Sequence, residues 1–129
     1  MRAYKLIISN NYKNEPLAEN TFYFRLEFTE IFKDNKVTEL NEFVNNLNKK
    51  VFEVKNEFKI ILEKFMEKIG NINTFPKFEV WKNNYNELVV SAKGSFEQIE
   101  NKDFLLTTLN EIKKDLLANE IFVRLLTSW

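Results

Sequence analysis

Apolar and polar residues alternate without a fault from Thr21 to Glu30. Alternation places every second side chain on the same face of a β-strand. One face consists of Phe22, Phe24, Leu26 and Phe28, and the other of Tyr23, Arg25, Glu27 and Thr29. The pattern predicts a strand with a buried, phenylalanine-rich face and a second face open to water. A looser alternation from Ala3 to Ser9 predicts an earlier strand, and the polar stretch between the two predicts a connection.

The next segment has the period of a helix. Apolar residues recur at intervals of three or four, at Val37, Leu40, Val44, Leu47, Val51, Val54, Phe58, Ile61 and Phe65. This spacing is typical of one helical face, and Gly70 stands where a C-terminal cap is expected. The pattern predicts one long helix from about Lys36 to Ile69. A break between Asn45 and Asn48 is the competing interpretation, because Asn is a weak helix former.

The second half of the chain repeats the order of strand, strand and helix. Lys77 to Lys82 and Glu87 to Lys93 are predicted to form a hairpin around an Asn-rich turn. Gly94 marks either a bulge or the strand end. After Asn101, a plausible cap, a helix is predicted from the spacing of Leu105, Leu109, Ile112 and Leu116.

The segment from residue 120 to residue 129 fits a continued helix, a new helix or a strand, and its pattern leaves the three open. We therefore predict an α+β fold in the order ββαββα, as one domain over residues 1–129. An antiparallel sheet of about four strands would carry the long helix and a C-terminal helix on one face.

Composition excludes several classes of protein. Nineteen basic and nineteen acidic residues cancel in this chain of 129 residues, so bulk charge does not favour binding to nucleic acid. No apolar run is long enough for a membrane span or a signal peptide, and cysteine is absent. We expect a soluble, cytoplasmic protein without membrane association. Abundant Asn and Lys with only three Arg indicate an AT-rich genome, such as that of a low-GC bacterium or its phage.

The chain is poor in catalytic chemistry because it contains neither His nor Cys. Hard-metal ligands could come from the pairs Glu39/Glu42, Glu53/Glu57 and Glu63/Glu67, each on one helical face. Interspersed Lys and Asn residues make a solvated helix surface the favoured interpretation. Gly70 and Gly94 stand alone and form no phosphate-binding loop. We expect no catalytic residue, no metal, no cofactor and no enzymatic activity.

Candidate binding residues lie on the open face of the predicted sheet. Tyr23, Arg25 and Trp81 are expected there, and aromatic and arginine side chains are enriched at protein interfaces. The alternative for Trp81 is packing under a loop or a neighbouring helix.

The predicted long helix is too long for the domain that contains it. The 33 residues from Lys36 to Lys68 extend about 50 Å, whereas a compact chain of this size is about 36 Å across. Its apolar stripe nevertheless continues to its N-terminal end. We therefore expect Val37, Leu40, Val44 and Leu47 to lie in a helix-to-helix contact, either in a homodimer or with the chain's own final helix.

These observations favour a small non-catalytic factor that binds another protein. Such a factor could be an inhibitor, an immunity protein, a phage counter-defence protein or an adaptor. The alternative is a nucleic-acid-associated regulator that uses local basic patches such as Lys49, Lys50 and Lys55. A third hypothesis is a glutamate-dependent metal enzyme.

Overall fold

The structure, a computed structural model, describes residues 2–31, 40–70, 77–85 and 87–129. The side chains of Ile31, Leu40, Asn41 and Phe43 are outside this description. The described residues form an α+β fold with a five-stranded mixed sheet, a separate two-stranded hairpin and two helices. The strands are β1 (Ala3–Ser9), β2 (Asn11–Tyr12), β3 (Glu15–Pro16), β4 (Phe22–Ile31), β5 (Phe78–Lys82), β6 (Glu87–Phe96) and β7 (Phe122–Ser128). The helices are α1 (Leu40–Ile69) and α2 (Lys102–Ala118).

The strand order in the sheet is β5-β6-β4-β1-β7. Neighbouring strands run antiparallel except β1 and β7, which run parallel with Leu6 opposite Leu125. Two crossovers follow from these directions. From β4 the chain crosses through α1 to the parallel strand β5, and from β6 it crosses through α2 to β7. Each crossover joins two parallel strands. The β4 and β5 pair points opposite to the β6 and β7 pair, and the two crossovers run in opposite directions along the sheet. Right-handed crossovers therefore put both helices on the same face.

The fifth strand corrects the predicted sheet of about four antiparallel strands. The final segment, which the sequence pattern left open, is strand β7. α2 ends at Asn119, and Glu120 takes a positive φ of 62°, which turns the chain out of the helix. The segment then pairs with β1 over its whole length. Because that partner lies more than a hundred residues earlier in the chain, local periodicity carries no signal for the pairing.

The connection predicted between β1 and β4 contains its own short hairpin. Strands β2 and β3 pair around Lys13 and Asn14, whose φ angles are 51° and 64°. Positive φ at both central residues is typical of the type I′ turn, which matches the twist of paired strands. The hairpin brings Tyr12 against Tyr23 of β4, with ring centroids 4.7 Å apart.

Strand β6 continues beyond its predicted end at Lys93. Gly94 lies within it, in register opposite Phe24, and pairing extends to Phe96. Gly94 is therefore neither a bulge nor the strand end. The predicted hairpin between β5 and β6 is confirmed, with Trp81 opposite Val89.

Both predicted helices are confirmed within the described residues, and the predicted start of the first at Lys36 lies outside them. α1 runs unbroken through Asn45 to Asn48 and ends before Gly70, which has a φ of 77°. Its 30 residues span about 45 Å. α2 begins after Asn101, whose side chain accepts a hydrogen bond of 2.8 Å from the backbone N–H of Phe104. Neither described helix is both long enough and apolar enough to cross a membrane.

The hydrophobic core lies between the helices and the inner face of the sheet. The predicted inward residues Phe22, Phe24, Leu26 and Phe28 are all buried in it. They meet Val54, Phe58, Ile61, Leu62 and Phe65 of α1 and Leu105, Leu109, Ile112 and Leu116 of α2. Since α1 contributes no buried side chain among its described positions before Val54, its first turns extend past the core.

Candidate functional site

The sheet face opposite the helices, here called the outer face, is the candidate functional site. Within the described residues no helix covers it, and it contains an open depression of about 600 Å³. Side chains from several strands line this depression, among them Lys5, Arg25, Glu27, Trp81, Phe122 and Arg124. The site is thus assembled from the full width of the sheet.

Two of the three predicted binding residues line the depression together. Arg25 projects from the central strand β4, and Trp81 stands at the rim on the edge strand β5. The Trp81 side chain is 42% exposed, and its Nε1 atom lies 3.5 Å from Ser91 Oγ of the neighbouring strand. Trp81 is therefore at the surface and not under a described loop or helix.

Tyr23 lies on the same face but outside the depression. Its ring contacts Tyr12 of the β2-β3 hairpin, and the side chain is half-buried. Burial raises the pKa of the Tyr23 hydroxyl, while the nearby Arg25 guanidinium acts in the opposite direction. The structure therefore assigns Tyr23 a packing contact that the strand pattern alone did not indicate.

Charges on the outer face are partly neutralised in pairs. Arg25 Nε lies 2.6 Å from Glu27 Oε1, and Glu27 is only 6% exposed. Lys93 Nζ lies 3.2 Å from Glu79 Oε2. By contrast, Lys5 and Arg124 lie side by side on β1 and β7, and neither forms an ion pair with a described carboxylate. The edge of the outer face beside β7 is therefore cationic.

Sequence reasoning missed most of the residues that line the depression, including several charged and aromatic ones. Lys5, Tyr85, Phe122 and Arg124 were not among the candidates. Phe122 and Arg124 alternate with buried Val123, which is a strand signal, but the adjacent leucines Leu125 and Leu126 obscure it. Tyr85 is 83% exposed in the β5-β6 turn. Its location in an Asn-rich turn was the available signal, since large aromatic residues are uncommon in such turns.

The glutamate pairs on α1 have different surroundings. Glu53 and Glu57 both bind the Arg2 guanidinium, and Glu57 also accepts a hydrogen bond from the Tyr4 hydroxyl. Glu63 and Glu67 are exposed, as is Glu42, whereas Glu39 lies outside the described residues. Among the described residues there is no group of three or more acidic side chains placed to hold a metal ion.

The lysines of the predicted basic patch do not act as one free cluster. Lys50 forms an ion pair with Glu30 of β4. Lys55 Nζ lies 5.7 Å from the centroid of the Phe78 ring. Lys49 is exposed. Two of the three cations are therefore already engaged by the protein's own side chains.

The predicted self-association residues lie at the N-terminal end of α1. Val37 lies outside the described residues, and Leu40 is the first residue of α1. Val44 is 42% exposed and Leu47 is half-buried, although both continue the apolar stripe that is buried from Val54 onward. α2 leaves Val44 exposed, so contact with the chain's own final helix does not account for this residue.

No protein-family model, curated protein or solved structure matches this chain.

Proposed function

We propose that this protein is a small non-catalytic factor that binds another protein through its outer face. The observation that carries the proposal is the uncovered depression, whose lining includes Trp81, Tyr85 and Arg25. Trp, Tyr and Arg are the side chains that most often contribute large binding energies at protein interfaces. Arg25 and Trp81 project from paired strands of the sheet, so little backbone entropy is lost at these two positions when a partner binds.

The shape and chemistry of the outer face also favour a protein partner. The depression is open and is built from rigid strands, and a large binding partner can cover it together with the surrounding sheet. The chain contains no His or Cys, the side chains most often used in acid-base and nucleophilic catalysis. An inhibitor, an immunity or counter-defence protein, or an adaptor would act by such binding alone.

The proposal is tested by capturing the partner from the source cell and measuring its affinity for defined variants. Trp81→Ala combined with Tyr85→Ala should weaken binding at least tenfold, because both aromatic side chains are exposed at the rim. Phe104→Ala is the matched control, since Phe104 is a similarly exposed aromatic residue on α2. Unchanged affinity of the double variant, with the melting temperature preserved, would place binding elsewhere.

We also propose that the protein self-associates through the N-terminal end of α1. The supporting observation is the continuation of the core stripe at exposed Val44 and half-buried Leu47. An apolar stripe that extends past the core is stabilised when a second helix covers it. A second copy of α1, related by twofold symmetry, would present the same stripe in return.

A further inference from the structure

The two edges of the sheet differ in their protection against pairing with another strand. β5 is five residues long, includes Glu79 and Lys82, and follows Lys77. Charged residues and short length are the usual means by which edge strands avoid pairing with other chains. β7 is seven residues long, and Arg124 is its single charged residue. The β7 edge is therefore the less protected of the two.

Apolar side chains accompany the β7 edge on both of its faces. Phe122 is 38% exposed on the outer face, and Leu126 is half-buried beside Ile7 of β1. On the helix side, Leu125 is half-buried against the core. Within the described part of the chain, no strand pairs with the far side of β7. Backbone donors and acceptors along that side are thus available to a further strand.

Charge at this edge indicates the chemistry of its occupant. Arg124 lies in register beside Lys5, and the acidic residue opposite Lys5 on the next strand, Glu27, contacts Arg25. A strand added next to β7 would place its outward side chains beside Arg124. Carboxylates there would be attracted to the two cations, and opposite charges on neighbouring strands stabilise pairing.

A second copy of the chain fits this edge less well. Pairing β7 antiparallel with another β7 would bring a second Arg124 to the same outer face, and β7 contains no acidic residue. Like charges on paired strands are destabilising. The charge pattern therefore favours a different chain.

We propose that β7 accepts an extended acidic segment of a partner protein as a sixth strand of the sheet. The segment would alternate carboxylate side chains, facing Arg124 and Lys5, with apolar side chains that cover Leu125 from the helix side. Main-chain hydrogen bonds would supply affinity, and the alternating side chains would supply specificity. This inference rests on the proposed function, since it specifies how the partner engages the margin of the outer face.

The test is a selection of random ten-residue peptides displayed on phage, with the purified full chain as the immobilised target. Enriched sequences are expected to alternate acidic and apolar residues. Synthetic copies should shift the backbone amide resonances of residues 122–128 and leave those of β5 unchanged. Arg124→Glu should weaken their binding at least tenfold. Lys82→Glu, the same charge reversal at the opposite sheet edge, should have little effect.

A charge-exchange experiment separates pairing at β7 from general attraction to a cationic surface. Peptides in which lysine replaces each acidic residue should bind Arg124→Glu more tightly than they bind the wild type. Absence of acidic alternating sequences, or resonance shifts confined to other strands, would refute the inference. The inference would also be refuted if the wild-type protein is a dimer and the Arg124→Asp variant is a monomer. That result would identify a second copy of the chain as the occupant of the β7 edge. The proposed function fails separately, through unchanged partner affinity in the Trp81 and Tyr85 variant.

Discussion

The Phe24 ring covers Gly94 on the neighbouring strand. A Cβ atom at position 94 would lie only 2.6 Å from Phe24 Cε1 and 2.7 Å from Phe24 Cζ. The ring has little room to move, because it is fully buried and stacks on Phe96 with centroids 4.8 Å apart. The absence of a side chain at position 94 thus lets a large aromatic residue fill this part of the core.

Gly94→Ala should therefore destabilise the protein, although Ala normally suits a strand better than Gly. Inserting a methyl group into a packed core costs about 1 to 3 kcal/mol. The measurement is the free energy of unfolding by urea titration. Ser95→Ala, at the next position of β6 and on the outer face, is the control and should change it little. In the double variant Gly94→Ala with Phe24→Leu, the smaller side chain at position 24 should restore part of the lost free energy of unfolding. Wild-type stability in Gly94→Ala would show that the Phe24 ring readily moves aside.

Shortening a buried side chain of β4 should lower the stability of the protein far more than shortening an exposed side chain of the same strand. Phe24→Ala should cost about 3 to 5 kcal/mol because the side chain is fully buried. Leu26→Asp should prevent folding, since it places an unpaired charge in the core. Thr29→Ala, at an exposed position of the same strand, is the comparison. Equal melting temperatures for Phe24→Ala and Thr29→Ala would contradict the packing described here.

The oligomeric state should depend on the N-terminal end of α1. Wild-type protein is expected to sediment as a dimer, and Val44→Glu with Leu47→Glu as a folded monomer, because carboxylates in an apolar helix contact lose hydration. Phe52→Glu is the matched control. Phe52 is 65% exposed and directly follows half-buried Val51 of the apolar stripe, so it lies about 100° away from the stripe around the helix. A monomeric wild type, or a dimer that persists in the double variant, would exclude this contact.

High pH should lower the free energy of unfolding of the protein because of the Tyr4 hydroxyl. Burial, and next the hydrogen bond to Glu57, raise the pKa of the Tyr4 hydroxyl far above its ordinary value of 10.0. The unfolded chain releases this proton near pH 10, whereas the folded protein retains it, so the free energy of unfolding falls as the pH rises above 10. The stabilising contribution of the Tyr4 hydroxyl to the folded state is fully present below about pH 10.

Tyr4→Phe tests this linkage because it removes the titrating group. Its free energy of unfolding should fall less steeply than that of the wild type above about pH 10. Near neutral pH the variant should be less stable by about 1 kcal/mol, through loss of the hydrogen bond to Glu57. Tyr85→Phe, at an exposed position, should retain the wild-type pH dependence. Identical slopes for Tyr4→Phe and the wild type would show that Tyr4 does not contribute.

Prediction from the sequence succeeded where the signal was local. The alternation from Phe22 to Phe28 established both the strand β4 and its buried face. The three-four spacing up to Phe65 predicted α1 as one helix, and the structure excludes the competing break in the Asn-rich stretch. Local patterns suffice in these elements because each residue's burial depends on the geometry of its own strand or helix.

The candidate site was predicted only in part, for the same reason. Arg25 could be placed on the outer face because its strand alternates clearly, and Trp81 was expected there from the strand of the predicted hairpin. Tyr23 was placed on that face too, but its contact with Tyr12 depends on a short hairpin that the sequence pattern did not reveal.

By itself, then, the sequence determined the α+β class, two helices, the β5-β6 hairpin and the inward residues of the sheet. The tertiary structure alone decided that the last segment is a strand, that it pairs parallel with β1, and that Arg124 consequently lies beside Lys5. Adjacent Leu125 and Leu126 fit a helix as well as a strand. Their conformation is set by hydrogen bonds to residues at the other end of the chain, and a local pattern contains no information about so distant a partner.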